Sequence, residues 1–201
     1  MQETLRCRLA AAALTLAAAG CGSAGEATIF DPDALDVEPG WISVPDVPVV
    51  LQKESADCGM TSLAMVFAHW GVPVAAGEFA VDAPLVPGKG TTASDLRDFA
   101  RRKGLECTLI HGRVEDLRRE LSEGHPVIVG LVKLAPSGAV THYEVVVALH
   151  PRRRIIVTHD PANGWRQNSL DEFRKEWDPA GSLTIVFVPR GPRPPDPEGR
   201  P

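Results

Sequence analysis

The spacing of apolar residues changes near the middle of the chain. Up to about residue 122, apolar residues recur mainly every three or four positions, which predicts amphipathic helices. We expect these helices over 58–71, 92–102 and 114–122. The first ends at Gly71, ahead of Val72-Pro73, which cannot continue a helix. The second begins at Thr92 with a capping arrangement that includes Asp95.

The second half of the chain consists mainly of short apolar runs bounded by turn residues, a pattern typical of β-strands. We expect strands over 126–134, 142–149, 155–159 and 182–188, and a helix over 169–177. Two short strands are also expected earlier, at 47–51 and 105–110. Helices followed by an antiparallel sheet predict an α+β fold in one domain, which we place at residues 45–190.

Length and charge narrow the possible functions. The chain has 201 residues, of which 44% are hydrophobic, enough for one well-buried domain that we expect to be a monomer. A formal net charge of −5 gives no electrostatic basis for binding nucleic acid. The sequence contains neither a phosphate-binding glycine loop nor the series of apolar segments that an exporter needs.

The first 20 residues have the organisation of a lipoprotein-type signal peptide. Arg6 and Arg8 precede the apolar run 9–19, which is too short to span a membrane comfortably. Ala18-Ala19-Gly20-Cys21 then resembles a lipobox, although alanine stands at position 18 where leucine is usual. We expect Cys21 to be lipidated and to anchor the protein in the membrane of a bacterial cell envelope. Plain secretion, with cleavage near Ala19, is the alternative.

The segments that flank the domain differ from it in composition. Residues 21–44 are rich in Gly, Ala, Asp and Pro and predict a flexible tether. Residues 191–201 are rich in proline and charge and predict a disordered tail. The domain itself keeps two cysteines, Cys58 and Cys107. We interpret Cys107 as a buried, unpaired strand residue, because a disulfide would disable a nucleophilic Cys58.

The segment around Cys58 gives the strongest chemical signal. Cys58 lies at the predicted start of a helix, where the helix dipole and free N–H groups favour a thiolate. Asp57 can cap this helix. Gly59 is expected to bind substrate, because its small size lets a substrate carbonyl approach the backbone. The side-chain amide of Gln52 is placed to help the helix N–H groups hold an oxyanion.

Two later segments complete a catalytic pattern. His142 lies at the start of an apolar strand, and Asp160 directly follows another strand. A cysteine, a histidine and an aspartate in this chain order are the residues of a papain-like triad, in which a base activates the thiol and a third group orients the base. Glu144 lies on the same strand face as His142 and is expected to line the substrate cleft. No histidine has zinc-ligand spacing with a cysteine, so we expect neither a metal nor a cofactor.

These motifs together resemble the bacteriocin-processing cysteine peptidases, papain-like domains fused to ABC exporters that cut double-glycine leader peptides, and their free-standing envelope relatives. The resemblance covers roughly residues 45–190. It implies a papain-like fold, with the nucleophile at the N-terminus of a helix packed on an antiparallel sheet. It also implies cleavage after small residues such as Gly-Gly. The motifs are Gln52 with Asp57-Cys58-Gly59, His142-Tyr143 and Asp160-Pro161 with Gly164, supported by Gly90-Thr91-Thr92 with Asp95-Leu96 and by 124–129.

The sequence therefore predicts a lipid-anchored cysteine peptidase that acts on a peptide or protein. Cys58 is the expected nucleophile, His142 the general base and Asp160 the residue that orients His142. Gln52 and the Cys58 N–H form the expected oxyanion hole. Two alternatives stay open. One is an isopeptidase, amidase or transpeptidase with the same triad, and the other is a non-catalytic peptide-binding lipoprotein.

Overall fold

One antiparallel sheet with helices packed against it organises the chain. The computed structural model describes residues 27–54, 56–74, 90–135 and 138–191. Its strands are β1 Thr28–Ile29, β2 Ile42–Ser43, β3 Leu105–His111, β4 Val127–Ala135, β5 Gly138–His150, β6 Ile155–Asp160, β7 Gly164–Ser169 and β8 Leu183–Pro189. Its helices are α1 Ala34–Val37, α2 Cys58–His69, α3 Ala93–Arg102, α4 Val114–Ser122 and α5 Leu170–Trp177, followed by a 3-10 turn at Asp178–Ala180. The predicted α+β class is confirmed.

The strand order places three polar side chains of the central strands next to one another. The order is β1-β7-β6-β5-β4-β8-β3, and β2 pairs with the end of β5. In the β5–β6 pair, Val145 lies opposite His159, so Glu144 and Asp160 come from neighbouring positions. Side chains two residues apart on a strand share a face, which brings His142 to the same side of the sheet as Glu144.

The central strands are apolar because both of their faces are covered. Residues 127–129 of β4 and 145–149 of β5 are almost fully buried. Helix α2 packs against β5, and its residues Leu63, Val66 and Phe67 are almost fully buried. This packing fixes the start of α2, where Cys58 lies, against the strand that contains His142.

Local sequence signals set the starts of two other helices. At α3 the Thr92 Oγ1 accepts a hydrogen bond from the Asp95 N–H, and the Asp95 carboxylate accepts one from the Thr92 N–H, as the capping pattern predicts. At α5 the Ser169 Oγ accepts a hydrogen bond from the Glu172 N–H at 3.1 Å.

The N-terminal part of the domain differs from its prediction. Residues 27–44 are not a tether, because β1 pairs with β7 and β2 pairs with β5. Phe30 is buried and its ring packs on Trp41 and Trp165, a burial that offsets the cost of ordering a polar segment. The expected strand at 47–51 is wrong as well, since this stretch is irregular. The predicted signal peptide, Cys21 and the tail beyond residue 191 lie outside the described residues, as do two residues of the turn at 136–138.

Two further predictions concern cysteine and the membrane. Cys107 is buried in β3, opposite Phe187, and is free, as predicted. Its burial raises the pKa of the thiol to about 12. Within the described part of the chain, no helix has the length and apolar character needed to cross a membrane.

Candidate active site

Cys58 is the first residue of α2 and is only 7% exposed. One helical turn after Cys58, a hydrogen bond joins α2 to β5: the Ser62 Oγ donates to the Tyr143 carbonyl at 3.3 Å. Tyr143 directly follows His142, so this bond fixes the spacing between the cysteine and histidine backbones. No sequence pattern singles out Ser62 for this role.

His142 and Asp160 are joined by a short hydrogen bond. The His142 Nε2 lies 2.7 Å from the Asp160 Oδ1. Because Nε2 donates to this carboxylate, Nδ1 is the ring nitrogen left for the hydrogen bond that joins His142 to the Cys58 thiol. The structure therefore brings together the three residues that the sequence singled out as a triad.

The Asp-Pro turn after β6 holds the Asp160 carboxylate in place. Its Oδ1 also accepts a hydrogen bond from the Ala162 N–H at 2.8 Å, and its Oδ2 accepts one from the Asn163 side chain at 2.6 Å. Gly164 has a φ of 76°, a left-handed conformation that lets the chain reverse here without strain. An aspartate with both oxygens engaged presents a fixed acceptor to His142.

The electrostatics of the site favour a thiolate on Cys58. Burial raises the pKa of the Cys58 thiol, but the hydrogen bond and positive charge of His142 lower it. The backbone N–H groups of Tyr143 and Gly59 act in the same direction, and the pKa lies below its ordinary value.

The imidazole is correspondingly easy to protonate. Burial lowers the pKa of His142, but its hydrogen bonds with Asp160 and Cys58 and the charges of Glu144 and Asp160 raise the pKa to about 10. Burial raises the pKa of Asp160, whereas His142 and the turn hydrogen bonds lower it to about 2. The imidazolium–thiolate pair is thus the favoured state in the pH range between the lowered pKa of Cys58 and the pKa of His142, about 10.

His159 does not compete for the role of base. It is fully buried and its ring centroid lies 4.0 Å from that of Trp165. Burial lowers the pKa of His159 to about 4, so this imidazole is neutral at physiological pH. It lies on the strand face opposite Asp160, as strand alternation predicts.

Gln52 lies in a loop that is tied to the Asp160 turn. Its backbone N–H donates a hydrogen bond to the Pro161 carbonyl at 2.8 Å. Its side-chain Oε1 is buried and has no hydrogen-bond partner among the described residues. Because this oxygen is a hydrogen-bond acceptor, the oxyanion role belongs to the Nε2 group of the amide, and that role stays a prediction.

The predicted cap of α2 is wrong. The Asp57 side chain makes no hydrogen bond to the first turn of the helix. Its Oδ2 instead accepts a hydrogen bond from the Glu54 N–H at 3.2 Å, and the Asp57 N–H donates to the Glu54 carbonyl. Asp57 therefore closes the loop after Gln52 and leaves the N–H groups at the start of α2 unoccupied by its carboxylate.

Neither residue assigned to substrate binding faces an open cleft. Gly59 is buried, and a Cβ atom there would lie 3.2 Å from the Tyr143 ring and 3.4 Å from Leu96. The residue is small because protein side chains fill the adjacent space. Glu144 is also buried, and its carboxylate contacts Lys133 and Thr158. The assignment of Glu144 is therefore corrected, because protein groups engage its carboxylate. The approach of a substrate to the Gly59 backbone stays a prediction.

The polar atoms of His142, Glu144 and Asp160 lie within 4.8 Å of one another. This spacing is compatible with a metal ion, but the Lys133 Nζ lies 2.9 Å from the Glu144 Oε1 and already compensates that carboxylate. A cation would meet the charges of both Lys133 and a protonated His142. The arrangement is therefore suited to holding an imidazolium.

A family model described as the Peptidase C39 family matches residues 46–189. The chain belongs to this family. It is a cysteine peptidase, and its antiparallel sheet with packed helices is the papain-like arrangement that the sequence predicted.

Curated relatives cover the chain only in part. The C39 chain is 25% identical over 136 residues to the colicin V secretion/processing ATP-binding protein CvaB of Escherichia coli. That match covers 64% of this chain and 17% of the relative. A ribosomal RNA large subunit methyltransferase H of Chromobacterium violaceum is 34% identical over 92 residues, which are 45% of this chain and 52% of that protein. The chain thus spans a minor part of the first relative and about half of the second.

Solved peptidase domains cover the C39 chain more completely. One is a double glycine motif protease from an AMS/PCAT transporter in complex with the leader peptide, with 25% identity and a TM-score of 0.58. The match covers 73% of this chain and 94% of the protease chain. Another is the peptidase domain of Streptococcus ComA, a bifunctional ABC transporter, with 25% identity and a TM-score of 0.59, covering 72% of this chain and 99% of its own.

The electrostatics of the C39 site predict selective alkylation. Iodoacetamide should label Cys58 well below the ordinary thiol pKa of about 8.5, because the imidazolium of His142 stabilises the thiolate. Cys107 is the matched internal control, since burial raises its pKa to about 12 and it should react only after unfolding. Peptide mapping by mass spectrometry across pH measures both. Equal labelling of the two cysteines, with no change in His142→Ala, would contradict the assigned thiolate.

Proposed function

We propose that this C39 peptidase hydrolyses a peptide or protein substrate after small residues such as Gly-Gly. The observation that supports this most directly is the contact chain Cys58–His142–Asp160, with a lowered thiol pKa and a histidine that is protonated at neutral pH. The related protease bound to its leader peptide supports a peptide substrate. An intact thiolate–imidazolium pair also favours catalysis over peptide binding alone.

In this mechanism the Cys58 thiolate attacks the carbonyl carbon of the scissile bond. The developing oxyanion is held by the Cys58 N–H and the Gln52 side-chain amide. The His142 Nδ1–H then protonates the leaving amine, which leaves an acyl-enzyme and a neutral imidazole. His142 next takes a proton from water as it attacks the thioester, and the acid product departs with the thiolate restored. Throughout the reaction the Asp160 carboxylate accepts a hydrogen bond from the His142 Nε2, which fixes the orientation of the ring.

The limited exposure of the reacting groups supports a preference for small residues. Cys58 is 7% exposed and the side chain of His142 is 13% exposed. A peptide backbone with no side chains at the cleaved bond can approach such a sulfur more closely than one with branched side chains. Discrimination against each added group is expected to be on the order of 10-fold or more in kcat/KM.

A set of matched peptides tests this proposal. The peptides differ only at the two residues before the cleaved bond, which are Gly-Gly, Ala-Ala or Leu-Leu. We expect kcat/KM to fall in that order, and Cys58→Ala to cut none of them. Mass spectrometry of the products, with and without an added amine nucleophile, reports hydrolysis or transfer. Cleavage that ignores these two residues, or products joined to the amine in place of water, would reject the proposed specificity or reaction.

We also propose that Cys21 carries a lipid that anchors the mature protein to a membrane of the cell envelope. The support is the sequence Ala18-Ala19-Gly20-Cys21 after a basic and an apolar segment. In a bacterial host the exported wild-type protein should partition into the membrane fraction, and Cys21→Ser should release it. Ala18→Leu, which restores the usual lipobox residue, is a matched control that should stay membrane-bound. Wild-type protein recovered wholly in the soluble fraction would favour plain secretion.

A further inference from the structure

A buried group of three charged side chains lies beside His142, and the triad mechanism makes no use of it. The Lys133 Nζ lies 2.9 Å from the Glu144 Oε1 and 2.7 Å from the Glu176 Oε2. The side chains of Glu144 and Glu176 are 5% and 1% exposed, and that of Lys133 is 16% exposed. We call these three residues the charged cluster.

The charged cluster has two carboxylates and one ammonium group, so one negative charge is left over beside His142. Lys133 can neutralise one of its two carboxylate partners, and Glu176 is the closer of them. The Glu144 Oε1 lies 3.9 Å from the His142 Nε2. Its Oε2 accepts a hydrogen bond from the Thr158 hydroxyl at 2.6 Å, so the carboxylate is fixed at both oxygens. The remaining negative charge therefore faces the imidazole.

We propose that Glu144 is a positioning residue of the peptidase reaction, a second buried carboxylate beside Asp160 that stabilises the imidazolium of His142, with Lys133 limiting the strength of that effect. The inference rests on the proposed roles of Cys58 and His142. It replaces the expectation that Glu144 binds substrate.

The two carboxylates act on His142 in different ways. Asp160 lies at hydrogen-bond distance and takes the Nε2 proton, whereas 3.9 Å is too long for Glu144 to do so. Glu144 therefore acts through its charge, and its field contributes to raising the pKa of His142 to about 10. A buried ion pair contributes little net stability compared with apolar residues of the same size. Stability alone is thus a weak reason for three charged side chains at this place.

The groups that face His142 and Glu144 come from five elements. They are Cys58 of α2, Lys133 of β4, Thr158 and Asp160 of β6, and Glu176 of α5, with His142 and Glu144 themselves on β5. Within this set, Lys133 is the one whose charge opposes protonation of His142. Removing Lys133 and removing Glu144 should therefore move the pKa of His142 in opposite directions.

The test is a titration of the His142 ring by ¹⁵N NMR in the full protein. Glu144→Gln should lower the His142 midpoint by about one pH unit or more. Lys133→Met should raise it. Glu176→Gln is the matched control, because it removes the other buried carboxylate that contacts Lys133 and leaves in place Glu144, the carboxylate 3.9 Å from the His142 Nε2, so its shift should be clearly smaller. Glu144→Asp, which keeps the charge, should restore most of the wild-type midpoint.

Thermal unfolding of each variant separates loss of stability from loss of this electrostatic effect. If Glu144→Gln and Glu176→Gln shift the midpoint equally, or if Glu144→Gln shifts nothing, the charged cluster is purely structural and the inference is overturned. If Glu144→Gln fails to fold, Lys133→Met still decides, because the inference requires it to raise the His142 midpoint and a purely structural cluster does not. The titration needs no substrate, so a failure to find any cleaved peptide would count against the proposed function and leave this inference standing.

Where activity is measured, Glu144→Gln should move the alkaline limb of kcat/KM to lower pH.

Discussion

Cys58→Ala is expected to lower kcat for peptide hydrolysis by a factor on the order of 10⁴–10⁶, because no other group at the site can form the acyl-enzyme. His142→Ala should cost a similar factor, since the remaining thiol loses both its hydrogen bond and the charge that lowers its pKa. The double variant should be no worse than either single variant, because the two residues act as one unit. Steady-state kinetics on any peptide that the wild type cuts measures all three.

Cys107→Ala is the matched control for these variants. It removes a thiol of the same kind from β3, and kcat should remain near that of the wild type provided the protein folds. The replacement of a sulfur by a smaller group at a buried site costs some stability, which thermal unfolding reports separately. A Cys58→Ala protein that still cuts at more than about one hundredth of the wild-type rate would remove Cys58 from the reaction.

The sequence predicted the candidate triad because the chemistry restricts both residue type and local setting. A nucleophilic cysteine needs a helix start, and a base and its orienting group need positions on neighbouring strands. In the structure His142 lies inside β5, which begins at Gly138 and not at the expected residue 142. Cys58, His142 and Asp160 each satisfy one of these conditions through their immediate sequence neighbours. The α2, α3 and α4 helices and the strands β3 to β6 followed from periodicity, because long apolar patterns are the most direct record of burial.

The failures have two physical causes: contacts between distant segments, and a local hydrogen bond that competes with the expected one. Residues 27–44 look like a tether by composition, yet Phe30 and Trp41 make contacts with β7 and β5 residues that no local pattern reveals. Asp57 resembled a cap because the local spacing was right, but a bond to the Glu54 N–H competes with capping.

The charged cluster shows what the sequence could have revealed. Lys133 interrupts an otherwise apolar run, and a lysine in a buried strand needs a charged partner. That rule predicts that an acid lies nearby, and Glu144 on the neighbouring strand was a candidate. Its partner Glu176 lies on α5, more than 40 residues from Lys133 in sequence, so only the packing of α5 against β4 brings the two together.

Gln52→Ala is expected to lower kcat by a factor on the order of 100–1,000 while barely changing the affinity for substrate in the ground state. The side-chain amide gains strength as a donor only when the substrate carbonyl becomes an oxyanion, so its loss falls on the transition state. Gln52→Glu replaces the donor with a negative charge and should be at least as damaging. The bond from the Gln52 backbone N–H to the Pro161 carbonyl does not involve the side chain, so the loop should keep its place in both variants.

The matched control is Lys53→Ala, which truncates the exposed neighbour in the same loop and should leave both kcat and KM near wild type. Steady-state kinetics gives kcat. Binding of an uncleaved peptide to Cys58→Ala protein, with and without Gln52→Ala, gives the ground-state affinity. A Gln52→Ala enzyme that cuts at nearly the wild-type rate would eliminate the oxyanion role. If affinity fell while kcat held, Gln52 would instead bind the substrate. The Cys58 N–H would then be the remaining assigned donor to the oxyanion. It is open to that role because the Asp57 carboxylate does not cap the start of α2.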